Sequence, residues 1–402
     1  MRPSGRLRAL LRGGDVVVAP GVWDGLSARL VARAGFPAVY ATGGGIARSM
    51  GYPDLGLLSL SEIASRLANI VEHAEVPVIA DADTGYGNAL NTQRAVREFE
   101  RAGVAALHLE DQTFPKRCGH YDDKSVVPVV EMAQKLRAAR DAMIDADLVL
   151  IARTDALAVE GLEAAIERGH AYAEAGADVI FVEAPISLEQ IETIARRLPQ
   201  PKLINMFQGG KTPLVPVARL QTLGYQIVII PSDLQRAAIR AMDDVLAAIA
   251  RDGSSAALAD RMTSFSERET VVDTAGYLAR AARYAAAEDP QNHPGARVRP
   301  DQTGARVSPI LAAGRPEGPR GVGPHLPHPQ PAQAFPSSEL SDSGLIPLLC
   351  PPAWSQRAPR SPMAASSNRA ALSAGARSMR LVAALAIRRQ APSREDGRCC
   401  QA

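Results

Sequence analysis

Short apolar runs rich in β-branched residues alternate with longer runs whose apolar positions recur at helical spacing. This alternation persists over the first 287 residues. The spacing predicts helix Pro3–Arg12, strand Val16–Ala19, helix Gly25–Ala34, strand Ala38–Ala41 and a helix near Ser61–His73. Strand Val78–Ala82 and helix Thr92–Ala102 follow, then strand Ala106–Glu110 and helix Val129–Asp141. The next pairs are Leu148–Arg153 with Leu162–Glu174, Val179–Glu183 with Leu188–Arg197, Lys202–Met206 with Val215–Leu223, and Ile227–Pro231 with Leu234–Arg251. Eight strands, each followed by a helix, is the count of a (β/α)8 TIM barrel. Strands apolar on both faces suit a parallel sheet covered by helices. Ala34-Gly35, Ala102-Gly103 and Ala175-Gly176 read as helix C-terminal signals. An open doubly wound sheet is the competing fold, and the absence of a Gly-rich dinucleotide fingerprint argues against it.

Beyond Gly253 the amphipathic runs Ala256–Met262 and Val271–Arg283 predict a helical C-terminal extension. The pattern stops near Glu288. From there on lie 17 of the 30 prolines, three of the four cysteines and no lysine. Such sequence buries too little apolar surface to offset ordering entropy. The expected organisation is a catalytic barrel over 1–252, an extension over 253–287 and a disordered tail over 288–402, with at most a marginal basic helix at Ala370–Arg389.

A net charge of +2 points to neither nucleic acid nor an anionic membrane. The basic N-terminus, Met1–Arg12, lacks the apolar core and cleavage site of a signal peptide, and no apolar run approaches the roughly 18 residues of a membrane span. Only Cys118 lies in the patterned region, apart from Cys350, Cys399 and Cys400, so a reducing, cytoplasmic setting is expected.

In a barrel the chemistry sits at the C-terminal ends of the strands. The polar residues fall there. Strand two runs into Tyr40-Ala41-Thr42-Gly43-Gly44-Gly45, which reads either as a flexible loop or as backbone N–H groups open to a carboxylate or phosphate. Strand three ends in Asp81-Ala82-Asp83, and strand residues two apart point the same way, so the two acids converge. Close carboxylates need a cation, and Mg²⁺ or Mn²⁺ suits them. His108 and Glu110, Arg153 and Asp155, Glu183 and Asn205 continue the series. Arg153 and Asp155 read as an ion pair or, for Arg153, as a bidentate partner for a substrate carboxylate. Arg236 and Arg240 read equally as a solvated helix face or as carboxylate binders. After strand four, Lys116-Arg117-Cys118-Gly119-His120 surrounds a thiol with cations, which predicts some thiolate character.

These motifs, together with Gly51-Tyr52-Pro53-Asp54, Ala152-Arg153-Thr154-Asp155-Ala156, Phe181-Val182-Glu183-Ala184-Pro185 and Gly209-Gly210-Lys211-Thr212-Pro213, resemble the isocitrate lyase/phosphoenolpyruvate mutase superfamily over residues 5–285. The resemblance is nearest to its 2-methylisocitrate and 2,3-dimethylmalate lyase branch. It implies Mg²⁺-dependent cleavage of a 2-hydroxy acid. In those terms Asp81 and Asp83 hold the metal, with Asp54 and Glu110 on its waters. Thr42, Gly43 and Gly44 take a carboxylate, and Arg153, Glu183 and Asn205 complete the pocket. Thr42 stands where Ser is commoner. Lys116, Arg117 and Gly119 contribute to substrate binding. Cys118 is the acid that protonates carbon, His120 belongs to the same catalytic loop, and Tyr40 is the candidate base. The resemblance also implies a homotetramer with exchanged C-terminal helices. Phosphonate mutases, oxaloacetate hydrolases and an inactive binding barrel are the alternatives, and the Cys118 loop argues against the mutases.

Overall fold

The structure is a computed structural model that describes residues 1–119, 121 and 123–287. His120 and the 288–402 tail, with its Ala370–Arg389 segment, lie outside the described residues.

Helix α1 (Pro3–Arg12) precedes strand β1 (Val17–Val22) and α2 (Gly25–Arg33). Strand β2 (Val39–Ala41) leads into α3 (Gly43–Ser49) and α4 (Leu60–Ala74), and β3 (Val78–Asp81) into α5 (Ala89–Ala102). Next come β4 (Ala106–Glu110) and α6 (Val129–Ala142), then β5 (Val149–Thr154) with α7 (Ala156–Val159) and α8 (Leu162–Glu174). Strand β6 (Val179–Val182) precedes α9 (Leu188–Arg197), β7 (Lys202–Asn205) precedes α10 (Val217–Thr222), and β8 (Tyr225–Ile230) precedes α11 (Asp233–Asp252). The eight strands close into one parallel barrel in sequence order, with Gly21 opposite Tyr40 and Val17 opposite Ile227 at the β2 and β8 seams of β1. The extension holds a 3₁₀ turn at Ala256–Arg261, then α12 (Phe265–Val271) and α13 (Thr274–Ala287).

Two apolar layers hold this frame. Inside the barrel, Val17, Ile79, Ile151, Phe181, Leu203 and Ile229 pack together, and Leu7 of α1 joins them. Between sheet and helices, Leu67, Phe99, Leu107, Leu136 and Ile166 are fully buried. Each such side chain contributes about 1.5–3 kcal/mol by leaving water. The helix starts are capped as their sequences direct. Ser59 and Glu62 form a capping box on α4, Asn88 caps α5, and Gly103 ends α5 at φ 89°. Helix α1 is fastened to the barrel by Arg8, whose guanidinium donates to both oxygens of Asp178 at 2.9 and 3.0 Å.

The structure changes some expected boundaries for physical reasons. Strand β1 continues through Pro20-Gly21 to Val22. Proline lacks only a donor, and a side chain on Gly21 would overlap the backbone of Pro231, so glycine is what lets the seam close. The glycine run, where no helix was expected, is the start of α3, with the Thr42 hydroxyl accepting from Gly45 N at 3.3 Å. The extension has two α-helices bracketing Val272-Asp273 rather than one run from Val271.

Candidate active site

The strand ends deliver a polar ring around a cavity of about 390 Å³. Tyr40, Thr42, Gly44, Asp54, Asp81, Lys116, Cys118, Gly119, Arg153, Glu183 and Asn205 all line it. Of the remaining predicted residues, Gly43, Asp83, Glu110 and Arg117 do not. Arg117 faces outward, its side chain 46% exposed and paired with Asp123. Arg236 lines the cavity, whereas Arg240 is a solvated helix residue paired with Asp244 at 3.2 Å.

Asp81 ends β3, but Asp83 is not a strand residue. Its φ of 46° is left-handed, so the acids approach through a tight turn and not through strand alternation. Asp83 N donates to Asp81 Oδ1 at 3.0 Å. Lys116 Nζ sits 2.6 Å from Asp54 Oδ1 and 2.9 Å from Asp83 Oδ1. The second contact is short but poorly aligned, an ion pair without a hydrogen bond at Asp83 Oδ1. The lysine expected to bind substrate lines the cavity and is also the counter-cation of the acid cluster. Burial alone would lower its pKa, yet Asp83 and Asp54 outweigh that and hold it well above the ordinary value. Burial, aided by Asp81 and Asp54 and opposed by Lys116, pushes Asp83 up to about 6. Burial also presses Asp81 upward, but His108, Lys116 and Arg153 together hold it below the carboxylate range.

Glu110 is wholly buried, and neither of its carboxyl oxygens has a hydrogen-bond partner among the described residues. Arg153 Nη1 lies 3.3 Å from Glu110 Oε2 and 3.3 Å from Glu183 Oε2. Burial raises the Glu110 pKa well above its usual value, against the pull of Arg153 and Lys116. A buried carboxyl in this state takes a proton or a cation. Asp54, Asp81, Asp83 and Glu110 all carry hard oxygen donors, the kind that Mg²⁺ takes. Among the described residues no three acid, His or Cys side chains already converge on one ion position. Lys116 Nζ stands between two of the four.

Arg153 is not the open carboxylate fork the sequence suggested. Its Nε and Nη2 donate to Asp155 at 2.9 and 3.1 Å, and its guanidinium lies 5.4 Å over the Phe181 ring. The ion-pair reading of Arg153 and Asp155 is the one realised. The carboxylate cradle is likewise partly occupied, since Gly43 N donates to Asp81 Oδ2 at 3.2 Å. Tyr40 Oη lies 2.7 Å from His108 Nε2 and 3.4 Å from Asp81 Oδ2. Burial and Asp81 raise the Tyr40 pKa, so the phenol is neutral at rest, and burial lowers the pKa of His108 against the pull of Asp81.

Half-buried Cys118 enters on a flap that leaves β4 and returns by antiparallel pairing of Gln112 with Val126. The Gln112 amide clamps Arg117, donating to its carbonyl at 2.9 Å and accepting from its N–H at 3.0 Å. The cations expected around the thiol are themselves paired with Asp54, Asp83 and Asp123.

Sequence reasoning missed Arg48, Phe207 and Gln235, which also line the cavity. Once Gly43–Ser49 is a helix, Gly44 and Arg48 share a face at i,i+4. A Cβ on Gly44 would stand 2.7 Å from Asp54 Oδ2 and 2.8 Å from Arg48 Nη1. Gln235 donates to Gly45 O at 2.9 Å and so ties α11 to α3.

Known proteins repeat this arrangement of chain. The family model described as phosphoenolpyruvate phosphomutase matches residues 7–250. The chain is 47% identical over 268 residues to the 2,3-dimethylmalate lyase of Eubacterium barkeri, covering 66% of this chain and 93% of that one. It is 45% identical over 276 residues to the 2-methylisocitrate lyase of Aeropyrum pernix, covering 69% and 88%. The solved structure of a phosphonopyruvate hydrolase in complex with oxalate and Mg²⁺ superposes with a TM-score of 0.66 at 33% identity, over 71% of this chain and 100% of that chain. The barrel, the motifs at its strand ends and these likenesses together show that the chain belongs to the phosphoenolpyruvate mutase/isocitrate lyase superfamily.

Proposed function

We propose that the chain is a Mg²⁺-dependent carbon–carbon lyase. It cleaves a 2-hydroxy di- or tricarboxylate of the 2,3-dimethylmalate or 2-methylisocitrate type into a pyruvate-type 2-oxo acid and a carboxylic acid. The observation that carries this reading is the presence of the Cys118 thiol in one cavity with Arg153, Glu183 and the acid set. Asp81, Asp83, Asp54 and Glu110 are the residues that would hold the metal. When bound, it supplies Lewis-acid polarisation at the 2-oxygen and neutralises developing charge.

The chain's own groups do the rest. Loss of the 2-hydroxyl proton and rupture of C2–C3 leave the 2-oxo acid and an enolate-like dianion. Arg153 faces that charge in a water-poor site, where it counts for most. The Cys118 thiol donates its proton to the departing carbon. Tyr40 takes the hydroxyl proton as it passes its own to His108 Nε2, 2.7 Å away. Glu183 accepts from Asn205 Nδ2 at 3.4 Å, which orients it toward the substrate.

A phosphonate enzyme is the second reading, favoured by the phosphomutase family match, and the Cys118 flap weighs against it. The lyase works in this reading as a homotetramer exchanging C-terminal helices. The exposure of Phe265, Leu278 and Tyr284, at 72, 65 and 62%, supports a partner over the extension. The functional test is a Mg²⁺ substrate panel of 2,3-dimethylmalate, 2-methylisocitrate, isocitrate, oxaloacetate and phosphonopyruvate. Turnover of phosphonopyruvate alone would overturn the lyase reading.

A further inference from the structure

Lys124 has no part in the mechanism above, yet its side chain is fully buried beside the site. Its Nζ donates to Asp155 Oδ1 at 2.7 Å and to the Gly119 carbonyl at 2.5 Å. Asp155 is also fully buried, and the same carboxylate receives Nε and Nη2 of Arg153. Its own position is fixed from below, because Asp155 N donates to Asp111 Oδ1 at 2.8 Å. One carboxylate thus joins an ammonium from the flap to the guanidinium in the cavity. The other contact holds the carbonyl of Gly119, the residue that follows Cys118. That residue lies directly on the site, since a Cβ on Gly119 would overlap Arg153 Nη2 and stand 2.7 Å from Glu183 Cγ. The base of the flap is held separately, by Thr113 N to Ser125 O at 2.9 Å and Val127 N to Asp111 O at 2.8 Å.

A buried ammonium with two such partners is costly unless both are kept, so the geometry selects one flap position. We infer that Lys124 is a positioning residue: through Asp155 it sets the Arg153 guanidinium, and through the Gly119 carbonyl it holds Cys118 over the cavity. The kinetic consequence rests on the lyase reading; the effect on Cys118 accessibility does not.

The test uses the full chain with Mg²⁺ and no substrate. Alkylation of Cys118 by iodoacetamide is followed by peptide mass spectrometry, with Cys350, Cys399 and Cys400 as internal references. Lys124→Met is expected to raise the Cys118 rate, relative to those references, by about tenfold, because the peptide after it is no longer pinned. Lys124→Arg, which keeps a cation within reach of Asp155, restores most of the protection. In the lyase assay Lys124→Met lowers kcat by about 100-fold through misplacement of Arg153 and Cys118, with KM little changed. Asp155→Asn, which keeps the shape but leaves the Lys124 ammonium without its counter-charge, gives a smaller rise in alkylation in the same direction should Lys124→Met not fold. Wild-type alkylation in both neutral variants overturns the inference, as does a Lys124→Arg chain as reactive as Lys124→Met. A chain that turns over no hydroxy acid yet shows the alkylation rise overturns the lyase reading alone.

Discussion

Lys116→Met is the perturbation whose effect follows most directly from the geometry. The lysine is 5% exposed, and its ammonium separates Asp54 from Asp83. Methionine keeps the stem and removes the charge, so two largely buried carboxylates then face each other without a counter-cation. Breaking a buried pair by removing one partner costs about 3–5 kcal/mol. Asp83, already pushed up to about 6, relieves part of this by taking a proton. The lower end, about 3 kcal/mol, is therefore expected near neutral pH. At about 2–4 °C per kcal/mol for a domain of this size, the melting temperature should fall by about 6–12 °C. The assay is thermal unfolding followed by circular dichroism, in EDTA and again in excess Mg²⁺. The deficit should narrow with Mg²⁺, because the ion no longer competes with the Lys116 ammonium for Asp54 and Asp83 and so binds the variant more tightly; an ion bound only by the native state adds about 2.7 kcal/mol at a hundred times its Kd. An unchanged melting temperature in EDTA would refute Lys116 as the counter-cation. A deficit unaltered by Mg²⁺ would refute the acids as the metal set.

Three further outcomes follow from particular contacts. Cys118→Ser should lower lyase turnover by about 10²–10⁴-fold, the span of a lost general acid, while calorimetry shows the proposed 2-oxo acid product still binding with Mg²⁺; wild-type turnover would remove Cys118 from the chemistry. Gly43→Ala should gain helix propensity yet cost activity, because the new Cβ would stand 2.8 Å from Asp81 Oδ2. An active variant would mean that the acid shifts freely. Asp178→Asn probes the fastening of α1. Burial opposes ionisation of Asp178, but hydrogen bonds from Arg8, Arg140 and Leu150 N outweigh it and lower its pKa. A lowered folded-state pKa stabilises above the unfolded value of about 3.9 and ceases to as pH falls through the folded one. The melting-temperature gap between wild type and Asp178→Asn should therefore be steady from neutral pH to about 5 and close in stronger acid. A gap independent of pH would contradict this.

The barrel was legible because each strand and helix carries its own period, and the strand-end acids stand out against apolar runs. The glycines of α3 misled because intrinsic propensity disfavours them in helices. They are needed because Asp81, Asp54 and Thr42 side chains crowd the Cβ positions of Gly43, Gly44 and Gly45, a fact of packing and not of local sequence. The ion pair of Lys116 was hidden for the same reason. Its partner Asp54 is 62 residues away, and only the fold brings them together. Lys124 was invisible on the same ground, a lone cation in a polar loop until Asp155 meets it 31 residues on. Arg153 with Asp155 was the opposite case, two residues apart on one strand end, and the ion pair could be weighed from sequence alone.

The central claim is that Cys118 protonates carbon in a Mg²⁺-dependent C–C cleavage. Its most direct test is deuterium incorporation into the carboxylic acid product when the enzyme turns over 2,3-dimethylmalate or 2-methylisocitrate in D₂O with Mg²⁺. Stoichiometric 2-oxo acid, with one deuterium at the carbon that left C2 and none of this in Cys118→Ser, is the predicted result. Turnover of phosphonopyruvate with no 2-oxo acid from either hydroxy acid would contradict it.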